Sequence, residues 1–466
     1  MRIARGFAFV ALTFLLATAP ALAADKPAAP PQKAPGFSLQ EALGVAYETN
    51  PQLGAAQAGL RATDETVAQA NANWRPTISA TGTYGFEKFN YSGSPGWFGT
   101  HPLNAQLGLS QSIFRGGRTY AEIGKAKAMV RGARAQLLAA EQTVLLGAAT
   151  AYMDVVRDNA ILKLRQQNVE VLRRQRDMTA LEFKAGSLTR TDVAQSEARL
   201  ATAQSGLVAA EGQLAISRSN FLQAIGRPAE TLEDLPALPG VIPGNEDDAL
   251  GLALKQNPAM VSAQESERAA SYAVDDAVGA LLPEVSVQGG YSYSQQSYNS
   301  TIGAGSVVHG LGVLAQINVP LYQGGAEEAT IRQAKELHAQ AQLNVNATDL
   351  QVRNAVSAAW NTFQAAEASI ASNQATEKAD EIAFMGVRKE QQVGGRTILD
   401  VLNAQQELLN AQVAVVTSQR DATVAAFQVL AAAGTLTAKS LGLKVKLYDP
   451  LAHYESDAAR WIGFGD

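Results

Sequence analysis

Side chains able to do chemistry are sparse in this 466-residue chain. Its four histidines, His101, His309, His338 and His453, are scattered. No HExxH spacing sets two imidazoles on one helical face, and no glycine-lysine loop could cradle a phosphate. Each histidine therefore reads as a surface or lining residue, and no cofactor is expected. The lack of cysteine excludes disulfides, thiol catalysis, thiolate metal sites and a lipobox near a cleavage point. The charged groups with a legible spacing are Thr189-x-x-Asp192 and Thr397-x-x-Asp400, both of which fit capping boxes at helix starts. Arg396, just before the second box, has no capping role and on the residues alone is a solvated turn cation.

The elements that position these turns are set out by an internal duplication. ALGVAYETNP at Ala42 to Pro51 recurs as ALGLALKQNP at Ala249 to Pro258, an offset of 207. Pro76 then falls on Pro283 and Tyr84 on Tyr291, and after one inserted residue Gly186 meets Gly394, Asp192 meets Asp400 and Gly226 meets Gly434. The expected organisation is a first repeat over 38–227, a proline-rich linker over 228–244, a second repeat over 245–435 and a tail over 436–466. Ahead of them stand Arg2 and Arg5, an apolar run from Phe7 to Leu16 and Ala21-Leu22-Ala23, which predict a secretory signal over 1–23, followed by a Pro/Ala-rich leader over 24–37. Its removal takes the formal charge from −5 to −7, which does not suit a nucleic-acid surface.

Each repeat opens with a helix, marked by Ser38 with Glu41 and by Asn245 with Asp248. The period then becomes two. Ile78, Ala80, Gly82, Tyr84 and Phe86 alternate with Thr77, Ser79, Thr81 and Thr83, and Ala105, Leu107, Leu109 and Ile113 with Asn104, Gln106, Ser110 and Ser112. Val285, Val287, Tyr291 and Tyr293 against Ser286, Gln288 and Ser292, and Leu311, Val313, Ala315 and Ile317 against Gly312, Gln316 and Asn318, repeat the pattern. Apolar-out, polar-in strands of this length suit a membrane β-barrel, with Glu87 to Leu103 and Ser294 to Gly310 as surface turns. A soluble hairpin with one wet face has the same alternation. Proline is then missing from Leu103 to Arg227 and from Leu321 to Asp449. Ile123, Val130, Leu137, Val144 and Ala151 form one heptad seam beside Leu138, Leu145 and Tyr152, with Ile331, Val345, Val352 and Ala359 as counterparts. Arg118 to Phe183 would form a rod of roughly 100 Å, too long for a compact domain. Gly186 and Gly394 mark the turns into returning helices.

Four strands cannot close a barrel, since about eight is the practical minimum and an open edge cannot face lipid. Two copies would give eight strands with a filled interior, and three would give twelve around an aqueous lumen; periodicity leaves both open.

The duplicated order of strand pair and coiled coil, FRGGRTYAEIGKAKA with its echo LYQGGAEEATIRQAKE, and the turn segments AGSLTRTDVAQSEARL and VGGRTILDVLNAQQEL together resemble the TolC family of outer-membrane efflux and secretion channels, over nearly all of residues 38 to 450. That resemblance implies an α+β membrane protein: a homotrimer with a twelve-stranded barrel in outer-membrane lipid, four strands from each chain, continuous with a periplasmic coiled-coil barrel. It also implies a periplasmic adaptor and an inner-membrane RND or ABC transporter as partners, with drugs, other small molecules or proteins as cargo. By motif matching, Thr191 and Asp192 stand opposite Arg396 as polar links that hold the periplasmic entrance shut, and Asp400 forms a carboxylate ring in the constriction. Two positions depart from the family pattern: Gln391 replaces a gate tyrosine, and Asn403 replaces a second ring aspartate, which predicts a less negative constriction. Helix capping remains the other reading of both aspartates. Competing classes fit less well. A trimeric envelope adhesin would carry its four strands contiguously at the C-terminus, a structural coiled coil would leave the strands unexplained, and an enzyme would need a constellation that is missing.

Overall fold

A computed structural model describes residues 37–90, 92, 96–233, 242–296, 306–458 and 460–463. The signal segment, the leader up to residue 36, part of the linker and parts of both strand-pair loops lie outside the described residues.

Each repeat opens not with one helix but with two, because an Asn-Pro pair interrupts the pattern. Helix α1 (Leu39–Thr49) starts in a capping box, Ser38 Oγ accepting from Glu41 N and Glu41 Oε2 accepting from Ser38 N. It stops at Asn50, whose side chain caps α2 (Pro51–Ala72), with Pro51 at a first position that needs no N–H. Strand β1 (Thr77–Tyr84) follows, and after it the expected surface turn holds a small hairpin of its own, β2 (Glu87–Phe89) with β3 (Phe98–Thr100). Strand β4 (Leu103–Arg115) leads into α3 (Arg118–Lys184), 67 residues long, which returns as α4 (Arg190–Ile225). The second repeat runs α5 (Glu246–Gln256), α6 (Pro258–Gly279), β5 (Glu284–Gln296), β6 (Ser306–Asn318), the 67-residue α7 (Ala326–Gln392) and α8 (Ile398–Ala432), with the same Asn-Pro break at Asn257-Pro258. A short α9 (Ala452–Asp457) stands in the tail.

The two strand pairs join across the repeats into one antiparallel sheet, ordered β1-β4-β5-β6. Its register sorts the side chains into rows. Thr81, Gln106, Ser292 and Gly310 share one row; Ser79, Gly108, Gly290 and Gly312 the next; Thr77, Ser110, Gln288 and Leu314 the one after. These rows border an open cleft of about 670 Å³ and carry no ionisable side chain. On the other face Ile78, Leu107, Leu109, Leu311, Val313 and Ile317 are exposed, as they must be if lipid rather than protein covers them.

Strand gives way to helix at Gly116-Gly117, where both residues take left-handed φ, +63° and +82°. Gly116 also lies against the backbone of Gly279, so close that a Cβ would overlap Gly279 O. Halfway down the rods the main core forms around α1, α3, α4 and α8, with Tyr152 and Phe221 fully buried and Leu436 and Ala438 of the tail among them. Tyr152 there joins distant segments, its hydroxyl donating to Phe37 O at 2.8 Å and accepting from Glu233 N at 3.1 Å. On α3 the first seam is buried at Val130, Leu137, Val144 and Ala151, with Ile123 half-buried, and α2, α4, α6 and α8 pack around the rod. On α7 the outcome differs. Val352 is buried, but Ile331, Val345 and Ala359 are only half-buried, and Leu337, Leu343 and Leu350 are exposed. The flank of this helix that bears Leu343 and Leu350 has no neighbour among the described residues.

Candidate functional site: the hairpin tips

Both hairpins turn by the same mechanism. Ala185 closes α3, Gly186 takes φ +80°, and Gly186 N and Ser187 N donate to Phe183 O and Glu182 O. This is the paired bonding of a Schellman motif, which requires a left-handed residue after the cap. At the second tip Gly394 takes φ +81°, with Gly394 N donating to Gln391 O and Gly395 N to Glu390 O. The tips are anchored to each other by a small core of Val169, Leu172, Leu200, Ala203, Ile398 and Leu402. Gln405 Nε2 adds a bond to Asn168 Oδ1 at 3.3 Å, tying α8 to α3.

Each returning helix then begins in a reciprocal capping box. Asp192 N donates to Thr189 Oγ1 at 3.3 Å, while Asp192 Oδ2 accepts from Thr189 N at 2.9 Å and from Thr189 Oγ1 at 2.7 Å. Thr397 and Asp400 repeat the geometry at 3.2, 3.0 and 2.8 Å. These contacts favour the charged carboxylates. The Thr189 hydroxyl and N–H hold Asp192 below the usual aspartate value, and the Thr397 N–H and hydroxyl, with Arg396 nearby, do the same for Asp400. The capping reading of both aspartates is therefore realised.

Within one chain Asp192 and Arg396 have other partners. Arg396 Nε pairs with Glu390 Oε2 at 2.9 Å across the turn, and that hydrogen bond raises its pKa further. Thr191 is exposed on the first turn of α4, and Gln391 is half-buried on the last turn of α7. Asn403 Oδ1 accepts from Arg199 Nη2 at 2.8 Å, so α8 is tied to α4 and the side chain facing Asn403 is a cation. Glu390 and Arg199 are the two tip residues that motif matching passed over. Arg199 lies inside the segment AGSLTRTDVAQSEARL but opposes Asn403 only once the hairpins are packed, a pairing between positions 204 residues apart.

Between the tips a groove of about 190 Å³ is lined by Val171, Leu172, Met178, Phe384, Val401 and Leu402, with Arg174 and Arg388 among its lining residues. No group of three or more metal-ligating side chains occurs among the described residues.

A sheet with one apolar and one polar face, set on rods of 67 residues and carrying charged, capped tips, defines a channel protein of the outer membrane. The comparisons name the family. Residues 42–227 and 249–435 both match the model for outer membrane efflux proteins, and the chain belongs to that family, a transport family rather than an enzyme family. It is 35% identical over 433 residues to the outer membrane efflux protein BepC of Brucella suis, covering 93% of each chain, and 25% identical over 424 residues to the outer membrane protein TolC of Vibrio cholerae, covering 88% of this chain and 94% of that one. In fold it is similar to the CmeC outer membrane channel of Campylobacter jejuni, with a TM-score of 0.76 at 16% identity over 90% of this chain and 89% of that one. The expectation of a TolC-type channel fold in the outer membrane is thus met.

Proposed function

We propose that three copies of this chain close into one exit duct, a twelve-stranded barrel above a helical tunnel, whose entrance is shut by the hairpin tips. The observation that carries the reading is the open sheet. Strands β1 and β6 are its two edges, and an unpaired edge cannot stand in lipid. Eight strands from two copies would fill the interior with side chains, whereas the polar face here is lined by small residues and glycines, which suit a wet lumen. The exposed Leu343 and Leu350, one heptad apart on α7, give the neighbouring copy a face to cover.

At the entrance Arg396 exchanges Glu390 for the partner subunit's Thr191 and Asp192, with Gln391 contributing less than a tyrosine would. Asp400 supplies the only carboxylate of the constriction ring, since Asn403 is neutral and bound to Arg199. The groove between the tips, with its apolar floor and two arginines, is where a periplasmic adaptor grips, and an RND or ABC transporter in the inner membrane supplies the energy. Such partners open the entrance by binding the open tips more tightly, without chemistry in this chain. The cargo is drugs, other small molecules or secreted proteins.

Chemical cross-linking of the detergent-solubilised outer-membrane protein tests the assembly, with a trimer expected and a monomer or dimer overturning it. In planar bilayers Arg396→Ser should raise conductance, while Asp400→Asn should weaken cation selectivity without opening the entrance. Wild-type conductance from Arg396→Ser would place the latch elsewhere.

A further inference from the structure

Beyond the main core the C-terminal segment runs along α2 towards the sheet. His453 Nδ1 faces Asp64 at 3.5 Å, and His453 Nε2 faces Glu65 at 3.8 Å. The guanidinium of Arg134 stands over the ring of Tyr454 at 5.1 Å, while Tyr454 and Ala458 pack on Val67, Ala126 and Val130. Further on, Asn71 Nδ2 donates to Ala458 O at 3.1 Å and Arg75 Nη1 to Arg460 O at 2.6 Å. The contacts thus advance along α2 from Asp64 to Asn71, a rise of about 10 Å at 1.5 Å per residue, and continue past its end to Arg75. They end two residues before β1 begins at Thr77.

This strap delivers an apolar end to the foot of the sheet. The Trp461 ring lies 4.9 Å from the Arg75 guanidinium; Trp461 is 69% exposed and Ile462 is 92% exposed. Beside them Trp74 and Tyr120 meet edge to face at 5.1 Å, both also exposed. Trp74 and Tyr120 border a shallow cleft with Ile113 and Phe114, and Phe114 pairs with Val285, which pairs in turn with Ile317 on the apolar face. Through Arg75, which follows Trp74 in the chain, the exposed end of the strap adjoins this apolar path to the face that the proposed barrel turns to lipid. Trp and Tyr rings are enriched at membrane interfaces, and Arg is suited to them, because each joins an apolar body to a polar or charged end.

We infer that the C-terminal strap is a peripheral membrane anchor: Trp461 and Ile462 enter the headgroup layer of the periplasmic leaflet, held there by the Arg75 contacts to Arg460 O and the Trp461 ring. The occupant is the phospholipid surface of that leaflet, because the exposed apolar end of the strap adjoins the face that the proposed barrel turns to lipid. The inference rests on the sheet being the membrane-spanning part, and its test separates the two.

Full-length protein carrying Trp74→Phe, Trp97→Phe and Trp360→Phe retains Trp461 as its one tryptophan. In bilayer discs of phosphatidylethanolamine and phosphatidylglycerol, bromination of the acyl chains near the glycerol should lower its emission by at least about half, while aqueous iodide should not quench it. A second reporter adds Trp461→Phe and Val313→Trp, placing the tryptophan on the apolar face of β6. Quenching of that reporter but not of Trp461 overturns the anchor. Iodide quenching of Trp461 then means that the strap end stands in water, and silence to both quenchers means that a second copy of the chain covers it. Loss of bromolipid quenching in both proteins overturns the membrane reading of the sheet, and the anchor falls with it.

Discussion

Replacing Thr189 by alanine separates the two roles open to Asp192. The hydroxyl of Thr189 accepts from Asp192 N at 3.3 Å and donates to Asp192 Oδ2 at 2.7 Å, while the Thr189 N–H holds the same oxygen at 2.9 Å. Deleting the hydroxyl removes the N-cap, which costs about 1 kcal/mol at one helix start and so about 3 kcal/mol over three symmetric tips that open together. If opening required loss of that cap, then at about 1.4 kcal/mol per factor of ten the open-to-closed ratio would shift by on the order of a hundredfold. If Asp192 acts only as a cap, Thr189→Ala and Asp192→Ala fray the same turn and should raise single-channel conductance alike. If Asp192 latches the partner subunit's Arg396, Thr189→Ala leaves the carboxylate in place and conductance stays near wild type, while Asp192→Ala and Arg396→Ser both open the entrance. We expect the second outcome in planar bilayers, with faster amide exchange over residues 190–193 confirming that the cap is lost. Equal conductance from Thr189→Ala and Asp192→Ala would refute the latch. The recordings belong at neutral pH. Because the cap depresses the Asp192 pKa, its stabilisation is present above the unperturbed value of 3.8 and is lost as acid titrates the group below it.

Three further outcomes follow from the geometry. Gly116→Ala combines left-handed backbone with overlap onto Gly279 O and should cost more than about 2 kcal/mol, whereas Gly117→Ala, at φ +82° with open space around it, should cost only the intrinsic ~1 kcal/mol; the yield of folded channel in the outer membrane ranks the two. Burial raises the pKa of Glu141, although its Oε1 accepts the Ala438 N–H at 2.7 Å. The folded state therefore binds the extra proton, so stability should fall as pH rises from the unperturbed 4.5 through the raised value, and Glu141→Gln, which keeps the acceptor, should flatten that slope in melting curves. Joint replacement of Thr77, Ser79, Thr81, Gln106 and Gln288 by alanine should leave the spectrum of exported compounds unchanged at equal expression, because a wall of small neutral groups offers no selective pocket; a shifted spectrum would mean that the barrel itself selects.

Much of this architecture was legible because it is written in local periods. Alternation of two places Thr77, Gln106 and Gln288 on one face whatever the strands pair with, and the seven-residue spacing of Val130, Leu137 and Val144 marks a buried seam before any partner is known. The capping boxes and the glycines after the long helices were legible for the same reason, since a cap or a left-handed turn is complete within six residues. The Asn-Pro breaks at Pro51 and Pro258 carried an equally local signal, and the single opening helix expected in each repeat missed it.

What tertiary structure alone decided are the pairings between positions distant in sequence. The sequence determined that Asp192, Arg396, Asp400 and Asn403 sit at two turns, but not that Arg396 would meet Glu390 or that Arg199 would reach Asn403, since side-chain direction depends on how the hairpins pack. It marked 436–466 as a tail, but not that Leu436 and Ala438 would enter the main core or that Arg75 would hold the segment beneath the sheet. Even the α7 seam, clear as a heptad, is only half-buried at Ile331, Val345 and Ala359, because periodicity states that a face must be buried and only the neighbouring surfaces determine what buries it.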